Sequence, residues 1–388
     1  MLLPSAMTDQ TQPTPHSGEE SSHMTYRETF QRMMHYEAVD RMPTVYWGGW
    51  PETHARWFSE GLPEDWSTHE AYFDAEGSIL WSHTLCGIFG GAFGENLIDF
   101  GEETLEQTPE YRVYRDRFGV IMKELTGQSN IPLHLDYTLK TAHDWPQYKQ
   151  MLQRDPRKIP ANLEAQISAA EASGNPVCIY AGSLMGWARN WMGVENLSYL
   201  CYDDRDCFRD MVETIADLAC WNIDLIVPRL TTHADLGFCW EDICGRSGPL
   251  VSPEIFTECV QPGYRKIRNK LEEYGITLFA VDSDGDISQL LRLWLEAGVN
   301  VQFPVEYGVM CQDATAYRRQ YGKELRILGN FDKIALERGP QAVEDEISRL
   351  LPLMRDGGFI MHLDHSPTPN VSAATYQAYF RRVKEIRL

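Results

Sequence analysis

Two short stretches of this chain carry side chains that could move protons or hold a metal. The first is Val281-Asp282-Ser283-Asp284-Gly285-Asp286, and the second is His362-Leu363-Asp364-His365. Carboxylates that crowd one another, or that sit in apolar surroundings, keep a proton at higher pH than free ones do. Imidazole exchanges a proton near neutrality, so both stretches suit general acid–base work. Asp286 reads most simply as the cap of a following helix. Asp282 and Asp284, on or beside a strand, are the candidates for catalysis. His365 joins them, because Ser366-Pro367-Thr368-Pro369 restricts the backbone that follows it.

The elements needed to position these groups can be read around them. Residues 276–281 are mostly apolar and rich in strand formers, as a strand buried on both faces would be. Residues 287–297 have helical spacing and stop at Gly298. The acids therefore stand at the carboxyl end of a buried strand, where α/β folds bind ligands. The pattern repeats from about residue 161 onward. Strands are expected at 177–182, 236–240, 299–303, 325–330 and 358–361, with helices at 162–172, 195–200, 206–227, 253–274, 311–321, 340–354 and 373–386. Such alternation predicts a parallel sheet with right-handed crossovers. The number of units favours an α/β fold with one closed (β/α)8 barrel of the TIM type.

Before the repeat, a helix is expected at 25–36 and a short strand at 44–47. Residues 48–160 are irregular, aromatic and rich in turns, with a hairpin at 110–125. They read as an elaboration covering the barrel mouth, within a single domain of residues 25–388. Residues 1–24, rich in Ser, Thr, Pro, Gln and Glu, read as a disordered leader.

In such a barrel every strand end would face one mouth. The ends hold Trp47 and Trp50, Trp187, Glu241 beside Asp242, Glu306, Asn330 and Asp332, and the two histidines. Trp47, Trp50, Trp187, Glu241, Arg246, Glu306, Asn330 and Asp332 are the expected substrate contacts. Each has a plainer reading. Glu241 and Asp242 could pair with Arg246, Asp332 could be a helix cap or a surface partner of Lys333, and tryptophans usually end in a core. Gly182-Ser183-Leu184-Met185-Gly186 lacks the spacing of a phosphate loop.

Bulk properties narrow the function further. A net charge of -21 over 388 residues argues against nucleic acid and anionic membranes as partners. The nine cysteines form no CxxC pair, and several lie in apolar runs. Reduced, buried thiols in a cytoplasmic protein are the expectation. No apolar run approaches the length of a membrane span.

Several segments together resemble the uroporphyrinogen decarboxylase family. They are Ala38-Val39-Asp40-Arg41-Met42-Pro43, Ser247-Gly248-Pro249-Leu250-Val251-Ser252-Pro253, the 281–286 stretch, Leu295-Glu296-Ala297-Gly298-Val299, Gly329-Asn330-Phe331-Asp332-Lys333, and Gly357-Gly358-Phe359-Ile360 leading to Asp364-His365. The resemblance implies the barrel, and either decarboxylation or methyl transfer involving corrinoid proteins and thiols. It also implies a homodimer. The family's true decarboxylases carry an arginine-rich MRQAGR-type stretch after the first strand. Here that place reads Trp47-Gly48-Gly49-Trp50-Pro51-Glu52-Thr53-His54, with no arginine before Arg56. A many-times-anionic substrate would be repelled there. The family's thiol-directed methyltransferases bind zinc through His-x-Cys and a later Cys. The matching positions here are Asp282, Asp284 and His365. A zinc–thiolate site is thus missing, and an oxygen/nitrogen site for zinc or another divalent ion is the alternative, built from Glu241, Asp282, His362 and His365.

The leading expectation is methyl transfer from a methoxylated or methylated-amine small molecule to a corrinoid. No Asp-x-His-x-x-Gly stretch is present, so the corrinoid would come on a partner protein, and no cofactor is expected to be bound covalently. Decarboxylation of a carboxylated, tetrapyrrole-type substrate is the second reading, and its signature would be arginines converging on the mouth. A non-catalytic binding subunit is the third.

Overall fold

The apolar runs pair into one parallel ladder of seven strands: Thr84–Leu85, Cys178–Tyr180, Leu236–Trp240, Phe279–Asp282, Val301–Val305, Arg326–Phe331 and Phe359–Leu363, each beside its neighbour in sequence. The computed structural model describes residues 24–126 and 132–388. Residues 1–23 of the expected leader lie outside the described residues. From Cys178 on, every ladder residue except Arg326 is buried, as expected when helices cover a parallel sheet. Arg205–Ile226 is the longest covering helix. Phe208, Met211, Val212, Ile215, Ala219 and Ile223 recur along its buried face at helical spacing, and Asp204 caps its start by accepting the Cys207 N–H. Among the described residues no helix is long and apolar enough to cross a membrane.

The expected parallel sheet with alternating helices is present, and among the described residues the strand pairings do not trace a closed ring. Val45–Tyr46 pairs with Gly77–Ser78 in a separate two-stranded parallel ladder, and no strand pairing joins it to the seven-stranded one among the described residues. At the edges, the Met361 N–H is met by the Met42 sulfur at 3.5 Å, and the Ser78 N–H by the Asn175 side chain at 3.2 Å. Pro304 lacks an N–H, and the pairing with Arg326–Phe331 shifts between Gln302 and Val305.

The expected hairpin at 110–125 is half of a four-stranded antiparallel sheet, Glu103–Gln107, Tyr111–Arg115, Val120–Leu125 and Leu133–Tyr137. The helix expected at 287–297 is shorter, Leu291–Glu296. Earlier in the chain, helix Pro51–Ser59 packs Trp57 wholly into the core. Its ring stacks on Tyr376, and its indole N–H donates to the Val371 carbonyl at 2.8 Å. Trp57 therefore ties the N-terminal segment to the chain's end. Trp57→Ala should lower unfolding stability by about 3–5 kcal/mol, read from urea unfolding.

Candidate active site

Register brings three strand ends together. Asp282 lies opposite Trp240 on one side and Phe303 on the other, so the turns that follow leave the sheet side by side. Asp282 ends its strand, is 6% exposed, and accepts the Trp81 indole N–H. Asp242 takes a left-handed φ of 52°. Its Oδ1 accepts the Asp284 N–H at 3.2 Å. One carboxylate oxygen from each of Asp242, Asp282 and Asp284 lies within 4.8 Å of the other two.

Such crowding disfavours full ionisation. Burial, then the charges of Asp242 and Asp284, hold the Asp282 carboxyl well above its ordinary range. Burial and Asp284 likewise push Asp242 up. Glu306 accepts the Gly285 N–H at 2.9 Å, and burial raises it too. The Arg189 guanidinium relieves part of the repulsion. It donates to the Asp242 carbonyl and lies 5.2 Å over the Trp240 ring, while burial lowers its pKa. Phe93 meets the same Trp240 ring edge-on at 5.0 Å.

His365 completes the group. Its Nδ1 accepts the Ser366 N–H at 2.7 Å, which leaves Nε2 to carry the proton, 3.4 Å from Asp284 Oδ2. The ring stacks on Trp47 at 5.3 Å and on Trp50 at 5.7 Å. The Gly285 turn between these groups is set by contact. Its φ is +85°, and a Cβ there would stand 2.3 Å from the Cys244 carbonyl oxygen. Gln312 grips this turn, donating to the Gly285 carbonyl and accepting the Ile287 N–H at 3.2 Å.

Residues 119–386 match the family model described as uroporphyrinogen decarboxylase (URO-D). The chain belongs to the URO-D family. In fold it is similar to a solved methyltransferase from Methanosarcina mazei, with a TM-score of 0.57 over 94% of this chain and 99% of that one, at 13% identity. No match is found among curated protein sequences.

Within this URO-D chain, Asp282, Asp284, His365, Trp47 and Trp50 gather at one place, with Glu306 beside them. Six other expected site residues need correction. Glu241 is wholly buried and accepts from the Leu184, Met185 and Gly186 N–H groups, the Tyr264 hydroxyl at 2.6 Å and the Ser183 hydroxyl. It straps the start of helix Gly186–Asp203, so it has no lone pair to offer a metal or substrate. His362 is 2% exposed, has Nδ1 on the Leu363 carbonyl at 2.7 Å, and is lowered to about 4 by burial. It packs under Trp47 and lies outside the acidic cluster. Asn330 is fully buried, bonded to Val305, Gln312, Ala314 and Arg349. Asp332 caps the turn at Ile334. Trp187 is core, donating to the Ala92 carbonyl at 2.9 Å. Arg246 stands exposed at the turn of the Cys244–Gly245 and Gly248–Pro249 hairpin, and Arg189, not Arg246, is the cation beside Asp242.

Asp242, Trp81 and Arg189 are further cluster members, outside the set of expected site residues. The adjacent Glu241-Asp242 pair was the available signal. Which of two consecutive acids faces the site depends on the left-handed turn at Asp242.

Asp282→Asn would remove one charge and keep the oxygen that accepts the Trp81 N–H. Carboxyls raised in the fold favour folding most at low pH, and that share is lost as pH rises through their raised values. Repulsion therefore weighs on the protein at neutral pH. Asp282→Asn should stabilise it at pH 7 by about 0.5–2 kcal/mol. In urea unfolding at stepped pH, this gain should shrink as pH falls into the ordinary carboxylate range near about 3.9.

Proposed function

We propose that this URO-D-family chain is an enzyme that removes a methyl group from a small methoxylated or methylated-amine substrate, with a corrinoid on a partner protein as acceptor. The observation that carries the reading is the Asp242–Asp282–Asp284 cluster with His365 on Asp284. Breaking a methyl–oxygen or methyl–nitrogen bond leaves an electron pair on the heteroatom, which must take up a proton or meet a Lewis acid. A buried carboxyl held well above its ordinary range, as Asp282 is, can supply one. His365 Nε2 lies where it can return a proton to the cluster through Asp284. The Trp240 ring, flanked by Trp81 and Phe93, offers a flat wall for the donor. Trp47 and Trp50, expected as substrate contacts, stack on the His365 ring.

The cluster's three carboxylates and the His365 imidazole fit a divalent cation by donor type. When bound, such an ion would supply Lewis acidity to the departing heteroatom. Asp242, Asp282 and Asp284 would hold it, in place of the Glu241–His362 set. Proton and ion compete for the same oxygens, so binding should release protons and weaken at lower pH.

Arginine placement disfavours the decarboxylase reading. Arg56 serves Glu60 and the Pro369 carbonyl, and Arg117 the Glu95 carbonyl. Arg189 reaches the acids' loop through the Asp242 carbonyl, while Arg246 stands exposed. The closed barrel, the corrinoid partner and a homodimer belong to this proposal as well, from family likeness.

The test is anaerobic incubation with reduced free cobalamin and methoxylated arenes or methylated amines, following methylcobalamin by absorbance. Wild type should form it, and Asp282→Asn and His365→Ala should slow it by about 100-fold or more. Carbon dioxide release from a carboxylated substrate, with no methylcobalamin formed, would move the assignment to decarboxylation. Elemental analysis of the same proteins should find a divalent ion in wild type and little in Asp284→Asn.

A further inference from the structure

Helix Pro51–Ser59 is bonded to both sides of the His365 ring's surroundings. On one side it holds the segment after His365: the Thr53 hydroxyl donates to the Pro367 carbonyl at 3.0 Å, Arg56 to Pro369 at 2.9 Å, and Trp57 to Val371 at 2.8 Å. On the other side stands Trp50, the N-cap of this helix. Trp47, the other indole on His365, is held separately, its N–H and carbonyl both bonded to the Tyr376 hydroxyl. The Gly48-Gly49 link before Trp50 has one polar side-chain anchor, the Gly49 N–H donating to His54 Nε2 at 2.9 Å.

His54 is an odd residue to find there. It is 1% exposed and lies in an aromatic nest, 4.0 Å from the Trp66 ring, with Trp57, Phe58 and His69 around it. Because Nε2 accepts, Nδ1 must carry the proton, and Nδ1 is buried with no partner. Buried donors are rarely left unmet. Burial, with His69 next, lowers His54 to about 4, so the ring stays neutral and able to accept. The nest would suit a phenylalanine. What phenylalanine could not do is hold Gly49.

We propose that His54 is a positioning residue, which by accepting the Gly49 N–H sets the Trp50 indole against the face of His365. The claim concerns geometry and stands apart from the methyl-transfer reading, and only its consequence for turnover rests on that reading.

The test uses the full chain with ¹³C-labelled histidine, at one fixed pH. The His365 ring signal is identified by its loss in His365→Ala. Stacking on indoles displaces the ring protons upfield, so Trp50→Ala should remove part of that displacement. His54→Phe keeps the aromatic packing and lacks the acceptor, and it should give the same partial loss. His54→Gln can place an oxygen near the Nε2 position and should keep the wild-type signal. The His54→Phe/Trp50→Ala double variant should match Trp50→Ala alone, since both changes remove one interaction. A wild-type His365 signal in His54→Phe, or additive changes in the double variant, would overturn the proposal. If His54→Phe does not fold, His54→Asn replaces it. Its shorter amide cannot reach Gly49, so it should behave like Trp50→Ala, and a wild-type signal there would overturn the proposal equally. In the cobalamin assay, His54→Phe and Trp50→Ala should fall together. If the signals move as expected and turnover does not, the role given to His365 fails while the positioning stands.

Discussion

Like charges held together against repulsion are the constraint on which this molecule's interesting part depends. Asp242, Asp282 and Asp284 bring one oxygen each within 4.8 Å of the others, and no nearby lysine neutralises them by a direct ion pair among the described residues. Left to itself such a cluster would spread apart. It stays because each member is held by backbone: Asp282 by its place in a central strand, Asp242 by a left-handed turn, and Asp284 by its own N–H on Asp242. Part of the strain is met by protonation and part by Arg189, which touches the loop through the Asp242 carbonyl.

Two other buried carboxylates brace the neighbouring loops by accepting backbone N–H groups. Glu241 collects the free N–H groups that open helix Gly186–Asp203 and ties them to the Trp240 strand end. Asp364 does the same for the next loops, accepting from Tyr307 at 3.1 Å, Gly308 at 2.8 Å and Lys333 at 3.0 Å. Acids at these strand ends thus fall into two kinds. Those saturated by backbone donors are structural, and those facing one another keep carboxylate oxygens close together. A close packing at Gly186, where a Cβ would stand 2.2 Å from the Glu241 carbonyl oxygen, shows how tightly the structural kind is built in.

The aromatic residues divide in a similar way. Trp57 and Trp187 are core. Trp47 and Trp50 stack on His365, and helix Pro51–Ser59 links Trp50 to the loop that carries it. Trp240, with Arg189 over one part and Phe93 at its edge, is left as the wall beside the acids. Elements far apart in sequence thus meet at one imidazole.

The sequence by itself determined the α/β alternation, the parallel pairing of neighbours and the place of Asp282, Asp284 and His365 at strand ends. Those features are written in local periodicity, and local periodicity follows from burial on both faces of a sheet. It also carried the family, through short segments that recur as strings. Tertiary structure alone decided which acid of Glu241-Asp242 faces the cluster, because a single backbone φ reverses the answer. It decided that Asn330 and Glu241 spend their polar atoms inside the fold, since their partners come from loops and helices remote in sequence. It decided, too, that the Met42 sulfur meets the Met361 N–H and the Asn175 side chain the Ser78 N–H, contacts between residues far apart in the chain. Residue type tells what a side chain can bind, and only the folded neighbourhood tells what is already bound to it.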